Sequence, residues 1–153
     1  MRWNFLDRID ELIPGERATG LKGVTSSEDY FADHFPGLPV LPGVIQIEAL
    51  AQLSGKLIEV SVYTKSQRWT WPILTMVKKA KFRRFVRPGD QLKLQSCLVQ
   101  LREESALCRC FAEVGDTRVT EAELLFVFNP EDLQEHKAQL ELEEVERKEI
   151  GRA

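Results

Sequence analysis

The sequence predicts an α+β fold in which one long helix is wrapped by a curved antiparallel sheet, and three observations carry that expectation. A proline-free stretch from Val44 to about Val62 is rich in Ile, Leu, Ala, Gln and Glu. One strand pattern, Arg17 to Val24, precedes it, and four follow Trp71-Pro72, divided by short turn signals. Between the first strand and the helix, Pro36, Gly37, Pro39, Pro42 and Gly43 crowd into a segment that fixes an unusual backbone path.

The helix is expected to open at Pro42-Gly43, with Pro42 suited to the first turn. Val44, Ile45, Ile47, Ala49, Leu50, Ala51, Leu53, Leu57 and Ile58 surround its axis, which marks a helix covered on nearly all sides. The four later strands are expected at Ile73 to Val86, Gln91 to Arg102, Ala106 to Val114 and Arg118 to Phe128, as an antiparallel meander. Pro88-Gly89-Asp90, Glu103-Glu104-Ser105 and Gly115-Asp116 separate them.

A chain of 153 residues with 43% hydrophobic composition can bury one core, and one domain is expected over residues 1–129. Asn129-Pro130 stops the last strand, and residues 130–153 form a charged tail, helical or loosely ordered. That tail holds eight acids against four bases between residues 131 and 152. A net charge of -3 argues against nucleic acid as a partner, since phosphate neutralisation needs a dominant basic surface. Charges interrupt every apolar run of MRWNFLDRIDELIPG, so neither a signal peptide nor a membrane span is expected there and the cytoplasm is the expected address. Cys97, Cys108 and Cys110 lack metal-ligand company, the only histidines being His34 and His136. Buried reduced thiols and no metal are the expectation.

Two residues invite chemistry. His34 lies just ahead of the helix and Glu48 about a turn and a half inside it. Alone, each is more often a satisfied core histidine or a paired helical acid. Together they form a matched set for removing water from a 3-hydroxyacyl thioester. Neutral His34 would take the proton beside the carbonyl. Glu48, set among Leu41, Ile45 and Ala49, would be held as an acid by desolvation and protonate the departing hydroxyl. The N–H of Gly43, at the positive end of the helix and without a side chain in the way, would hold the thioester oxygen as it gains charge.

At these positions the chain resembles the FabZ-type 3-hydroxyacyl-[acyl-carrier-protein] dehydratases. The resemblance begins at Leu6-Asp7-Arg8-Ile9 and peaks over His34 to Gln52, HFPGLPVLPGVIQIEALAQ. It continues through Ala80-Lys81-Phe82-Arg83, Pro88-Gly89-Asp90-Gln91-Leu92 and Ala122-Glu123-Leu124. It implies a hot-dog fold, catalytic roles for His34 and Glu48, and an amide at Gly43 facing the thioester. Gln52, one turn beyond Glu48, matches the glutamine that helps hold the acid. No cofactor is implied beyond the phosphopantetheine of acyl carrier protein, on which the substrate rides. The implied assembly is a homodimer or a trimer of dimers, with the acyl tunnel between subunits. Glu48, where the FabA-type sisters have Asp, favours dehydration without isomerisation. Leu38 departs from the arginine usual after His-Phe-Pro-Gly, and Trp69 and Trp71 stand in an unusual lead into the next strand, where they could gate the tunnel or pack at a dimer edge.

Lys78, Lys79, Lys81, Arg83, Arg84 and Arg87 place six bases within ten residues. Arg83, Arg84 and Arg87 are candidates for steering an acidic carrier protein, against the plainer reading of a solvated strand protected from edge aggregation. Two rivals stay open: a hot-dog thioesterase, and a binding module that keeps the fold without turnover.

Overall fold

The computed structural model describes residues 1–128 and, beyond them, 138, 139, 141–146, 148 and 151. Six strands form one antiparallel sheet: β1 Arg8–Ile13, β2 Arg17–Gly23, β3 Ile73–Phe82, β4 Gln91–Leu101, β5 Ser105–Val114 and β6 Thr117–Val127. Their spatial order is β1-β2-β4-β5-β6-β3, so β1 and β3 are the two edges. A single long helix, α1 Gly43–Ser66, packs on one face of the sheet, mainly against β4, β2 and β5. A short 3-10 helix, Asp29–Ala32, precedes it.

Strand alternation builds the surface that receives α1. Ala18 on β2, Leu92 and Leu94 on β4, Ala106, Cys108, Cys110 and Ala112 on β5, and Ala122, Leu124 and Phe126 on β6 are buried on one side of the sheet. The helix answers with Leu50, Leu53, Leu57 and Ile58, all without exposed surface. Fully burying each such side chain contributes about 1.5–3 kcal/mol before chain entropy is counted. Polar contacts fix the helix register within this core. Ser54 Oγ meets Ser96 Oγ of β4 at 2.7 Å and also returns a bond to the Leu50 carbonyl. Buried Gln46 donates to the Leu41 carbonyl at 3.2 Å and accepts from the Thr120 hydroxyl of β6, tying the first turn of α1 to the sheet.

The long helix and the four later strands lie where the pattern placed them, with shifted ends. Pro42 is the residue before the helix rather than part of its first turn, and α1 runs on to Ser66, where Gln67 adopts a left-handed conformation. β3 stops at Phe82, short of Val86; two irregularities interrupt its pairing with β6, between Leu74 and Met76 and between Lys78 and Lys81, and a last backbone bond runs from Arg83 N to the Val119 carbonyl. Lys79, at a positive φ of 52°, sits in the second irregularity. β1 was absent from the sequence pattern: Arg8, Asp10 and Glu11 dilute its apolar residues, and an edge strand needs only one paired side. Cys108 and Cys110 are buried, and burial pushes the Cys108 thiol up to about 12, whereas Cys97 is only half-buried, because it falls on the other face of β4.

The boundary expected at residues 129 and 130 lies outside the described residues, as do all of residues 130–137. Positions 138, 139, 141–146 and 148 are helical, and Leu142 and Val145 are exposed. No helix among the described residues is long and apolar enough to cross a membrane.

The segment leading to His34 is anchored by Lys22 of β2, which is 3% exposed and meets Glu28 Oε1 at 2.6 Å. Burial alone would raise the Glu28 carboxyl; the Lys22 hydrogen bond, helped by the Thr25 N–H, outweighs it and holds Glu28 below the usual carboxylate range. A carboxyl depressed in the folded state contributes stability above its unfolded pKa, and that contribution is lost as pH falls through the folded value. Urea unfolding between about pH 6 and pH 3 should therefore show the wild-type chain losing stability more steeply than Glu28→Gln. Parallel pH dependences would remove this pair from the acid sensitivity of the fold.

Candidate active site

The loop that carries His34 closes on itself. Phe35 and Leu38 exchange backbone hydrogen bonds at 2.8 Å in both directions, around Gly37 at a φ of +77°. Val40 N donates to the His34 carbonyl at 3.0 Å, and the Val40 carbonyl in turn accepts from His34 Nδ1 at 2.8 Å. A carbonyl oxygen can only accept, so Nδ1 carries the hydrogen and the neutral ring keeps its lone pair on Nε2. The ring also stacks on Phe35 at a centroid distance of 4.0 Å. One further bond, from Leu41 N to the Val86 carbonyl, fastens the end of the loop to the chain beyond β3.

Helix α1 then begins at Gly43. Bonds to Pro42 O come from Ile45 N and Gln46 N, and among the described residues the Gly43 N–H donates to nothing. A Cβ at Gly43 would stand 2.8 Å from Phe82 Cε1, so only glycine lets the Phe82 ring lie against the helix start. Glycine thus serves two ends here, a bare N–H at the positive pole of the helix and close approach of an aromatic ring.

Glu48 does not sit where its neighbours in sequence suggested. Leu41, Ile45 and Ala49 belong to the core, and the Glu48 carboxyl turns the other way, into a cavity of about 460 Å³. That cavity is lined by Trp3, Asn4 and Leu6 from the N-terminal segment, Trp71 and Leu74 opposite, and a stripe of α1. Oε1 accepts from the Trp3 indole N–H at 2.8 Å and from Gln52 Nε2 at 3.2 Å. Gln52 is itself held at both ends: its Oε1 accepts from Phe5 N at 2.8 Å, and its Nε2 also lies 3.3 Å from the Trp3 carbonyl. Both donors engage the same carboxyl oxygen, and among the described residues Oε2 has no hydrogen-bond partner.

His34 is not among the residues lining the Glu48 cavity, and no hydrogen bond joins the two. Within one chain the candidate pair is divided between two places. Of the two tryptophans considered as gates, Trp71 lines the Glu48 cavity, whereas Trp69 lines a separate one beside Val62 and Phe128. The N-terminal wall, with Trp3 above all, escaped the sequence reading; a tryptophan beside Phe5 in an otherwise charge-broken stretch is the signal that marked it.

The three candidate docking arginines differ in freedom. Arg83 is engaged by Glu121 at 2.7 Å, while the guanidinium groups of exposed Arg84 and Arg87 have no carboxylate partner among the described residues, the Arg87 backbone N–H donating to Asp90 Oδ2 at 2.9 Å. Lys79 and Lys81 face Glu123 and Glu121, each at 3.8 Å. No group of three His, Cys, Asp or Glu among the described residues could hold a metal ion.

With this geometry in hand, the comparisons converge. The FabA-like domain model matches residues 1–123. A 3-hydroxyacyl-[acyl-carrier-protein] dehydratase FabZ of Clostridium acetobutylicum is 44% identical over 123 residues, covering 80% of this chain and 85% of that protein. The FabZ of Lactiplantibacillus plantarum is 44% identical over 130 residues, 84% of this chain and 85% of its own. Among solved structures, the dehydratase heterocomplex ApeI:P from Xenorhabdus doucetiae superposes with a TM-score of 0.70 at 14% identity, over 83% of this chain and 84% of that one. A mutant thioesterase from Pseudomonas aeruginosa gives 0.61 at 16% identity, over 80% and 81%. The structural neighbours establish the hot-dog fold shared by dehydratases and thioesterases, and the sequence relatives choose between them: this chain belongs to the FabZ-type 3-hydroxyacyl-[acyl-carrier-protein] dehydratase family.

Proposed function

We propose that the chain removes water from 3-hydroxyacyl thioesters of acyl carrier protein to give the trans-2-enoyl thioester, in fatty-acid or related acyl-chain biosynthesis, and that His34 and Glu48 move the protons across a homodimer interface. The single observation that carries the reaction is 44% identity to FabZ dehydratases over four fifths of the chain. The site's geometry supports the division of labour.

His34 Nε2, its lone pair exposed by the Nδ1 bond to Val40, takes the proton from the carbon beside the thioester carbonyl. Charge moves onto the thioester oxygen, where the unpartnered Gly43 N–H receives it. Glu48 delivers a proton from its unshared oxygen to the hydroxyl, the C–O bond breaks, water leaves and the carbon–carbon double bond forms. His34 then releases its proton to solvent and Glu48 regains one, which resets the pair. No cofactor enters this step; phosphopantetheine only carries the acyl group. The Trp3 and Gln52 donors hold the Glu48 carboxyl in one orientation while leaving the reacting oxygen free.

A second copy is needed because His34 and Glu48 occupy separate places in one chain. Edge strand β3 supplies the surface: its outer side is unpaired and it exposes Ile73, Met76, Val77 and Phe82, with Phe85, Phe35 and Val44 nearby in sequence or site. An apolar unpaired edge of this kind favours strand addition by an identical partner. Exposed Arg84 and Arg87 are the docking residues for the acidic carrier, Arg83 acting through Glu121 instead. The cytoplasm, where free thiols such as Cys108 and Cys110 persist, is the compartment that fits. Residues 130–153 are kept outside the catalytic domain, in line with a family match that ends at residue 123.

Incubated with 3-hydroxybutyryl carrier-protein thioester, the wild-type chain should release enoyl thioester without free thiol, and His34→Ala should slow this by about two to four powers of ten. Free thiol in place of enoyl product would transfer the chain to thioester hydrolysis. Trp3→Phe keeps the ring and removes the indole N–H, and with Gln52→Ala it should cost about one power of ten in kcat/KM each, at an unchanged thermal midpoint for Trp3→Phe. Unaltered kinetics in both variants would dismiss their hold on Glu48. Reversing Arg84 and Arg87 to Glu should raise KM for the carrier-bound substrate at low salt and leave KM for the pantetheine thioester alone; equal effects on both substrates would rule out docking.

A further inference from the structure

The Glu48 cavity follows one face of α1, with Glu48, Ala51, Gln52, Gly55, Lys56 and Glu59 succeeding each other at three- and four-residue steps. From Glu48 to Glu59 the helix rises roughly 16 Å at 1.5 Å per residue. Trp71, Leu74 and Phe126 give apolar walls. At the end away from Glu48 the lining changes character: Lys56 Nζ and Glu59 Oε2 stand 3.1 Å apart, and Glu59 is only 7% exposed. Helical side chains lean toward the N-terminus, so Glu59 overhangs the turn that contains Gly55. Gly55 itself leaves room, for a Cβ there would meet nothing within 4 Å.

We propose that the Lys56–Glu59 ion pair closes the acyl tunnel and restricts this enzyme to short and medium 3-hydroxyacyl chains, discriminating against long ones. The inference rests on the dehydratase reading above and extends it to substrate class. Each methylene moved from water onto apolar walls strengthens binding roughly fourfold. Methylenes that reach the pair gain nothing of the kind. They meet Glu59, whose carboxylate is already nearly buried and is paired with exposed Lys56, so further growth must part the pair or set the charge against hydrocarbon. The tunnel therefore rewards chain growth up to the turn of Gly55 and penalises it beyond.

The test is a chain-length profile. kcat/KM is measured for 3-hydroxybutyryl, 3-hydroxyoctanoyl and 3-hydroxyhexadecanoyl carrier-protein thioesters with the full wild-type chain, with the double substitution Lys56→Leu/Glu59→Leu, and with Gly55→Leu. Wild type should favour octanoyl over hexadecanoyl by about tenfold or more, and the double substitution should narrow that ratio by about tenfold. Gly55→Leu, which fills open space and improves helix propensity, should lower octanoyl relative to butyryl. A wild-type profile still rising at hexadecanoyl overturns the inference and leaves the dehydratase reading standing; no enoyl product from any thioester overturns both. A double variant that melts cooperatively and keeps the wild-type ratio also overturns the inference. If that variant does not fold, the wild-type profile and Gly55→Leu decide, and insensitivity of the octanoyl rate to Gly55→Leu then counts against the tunnel's course.

Discussion

The burial of α1 against the sheet is the constraint from which the rest of the structure follows. Twenty-four residues of helix present Leu50, Leu53, Leu57 and Ile58 to the strands, and these side chains retain no exposed surface. A helix so held cannot rotate: turning it by one residue would expose leucines and bury Glu48 or Lys56. Ser54 and Gln46, bonded to Ser96 and Thr120, refine the same register with buried polar contacts between helix and sheet. Which residues of α1 line the cavity is therefore a consequence of the face the core leaves over. Glu48, Gln52, Gly55 and Glu59 form that remaining stripe.

What covers the stripe is contributed from far away in the chain. Trp3 and Phe5 reach Glu48 and Gln52 across more than forty positions of sequence, one through an indole N–H and the other through a backbone N–H. Because Gln52 is gripped on both sides of its amide, it cannot flip without losing a bond, and the carboxylate it supports inherits that rigidity. The same logic governs His34, whose ring nitrogen and carbonyl are both bonded to Val40. His34 is thus oriented by backbone, and Glu48 by two side chains of which Gln52 is itself bonded to the backbone at Phe5 and Trp3.

The exposed β3 edge is the second feature of the fold that a single chain leaves open. An edge strand with Met76, Val77 and Phe82 in water is a liability in a monomer, and natural sheets blunt such edges with charge. Here the lysines and arginines of the same segment are partly neutralised by Glu121 and Glu123 of β6, leaving the apolar residues available for pairing. Association of two chains through β3 would pair that edge.

The sequence by itself determined the long helix, the later strands and the unusual loop ahead of Gly43, because periodicity and the restricted backbones of proline and glycine act within a few residues of themselves. It also marked His34, Gly43 and Glu48 as candidates by type and spacing, and Gln52 through the family resemblance. Tertiary structure alone decided that Leu41, Ile45 and Ala49 turn inward while Glu48 faces Trp3, that β1 joins the sheet despite its charges, that β3 stops before Val86, and that Arg83 is occupied by Glu121. Those outcomes depend on contacts between distant segments, and no local pattern encodes them: which face of a helix is covered, and by what, is settled only when all the competing apolar surfaces are packed at once.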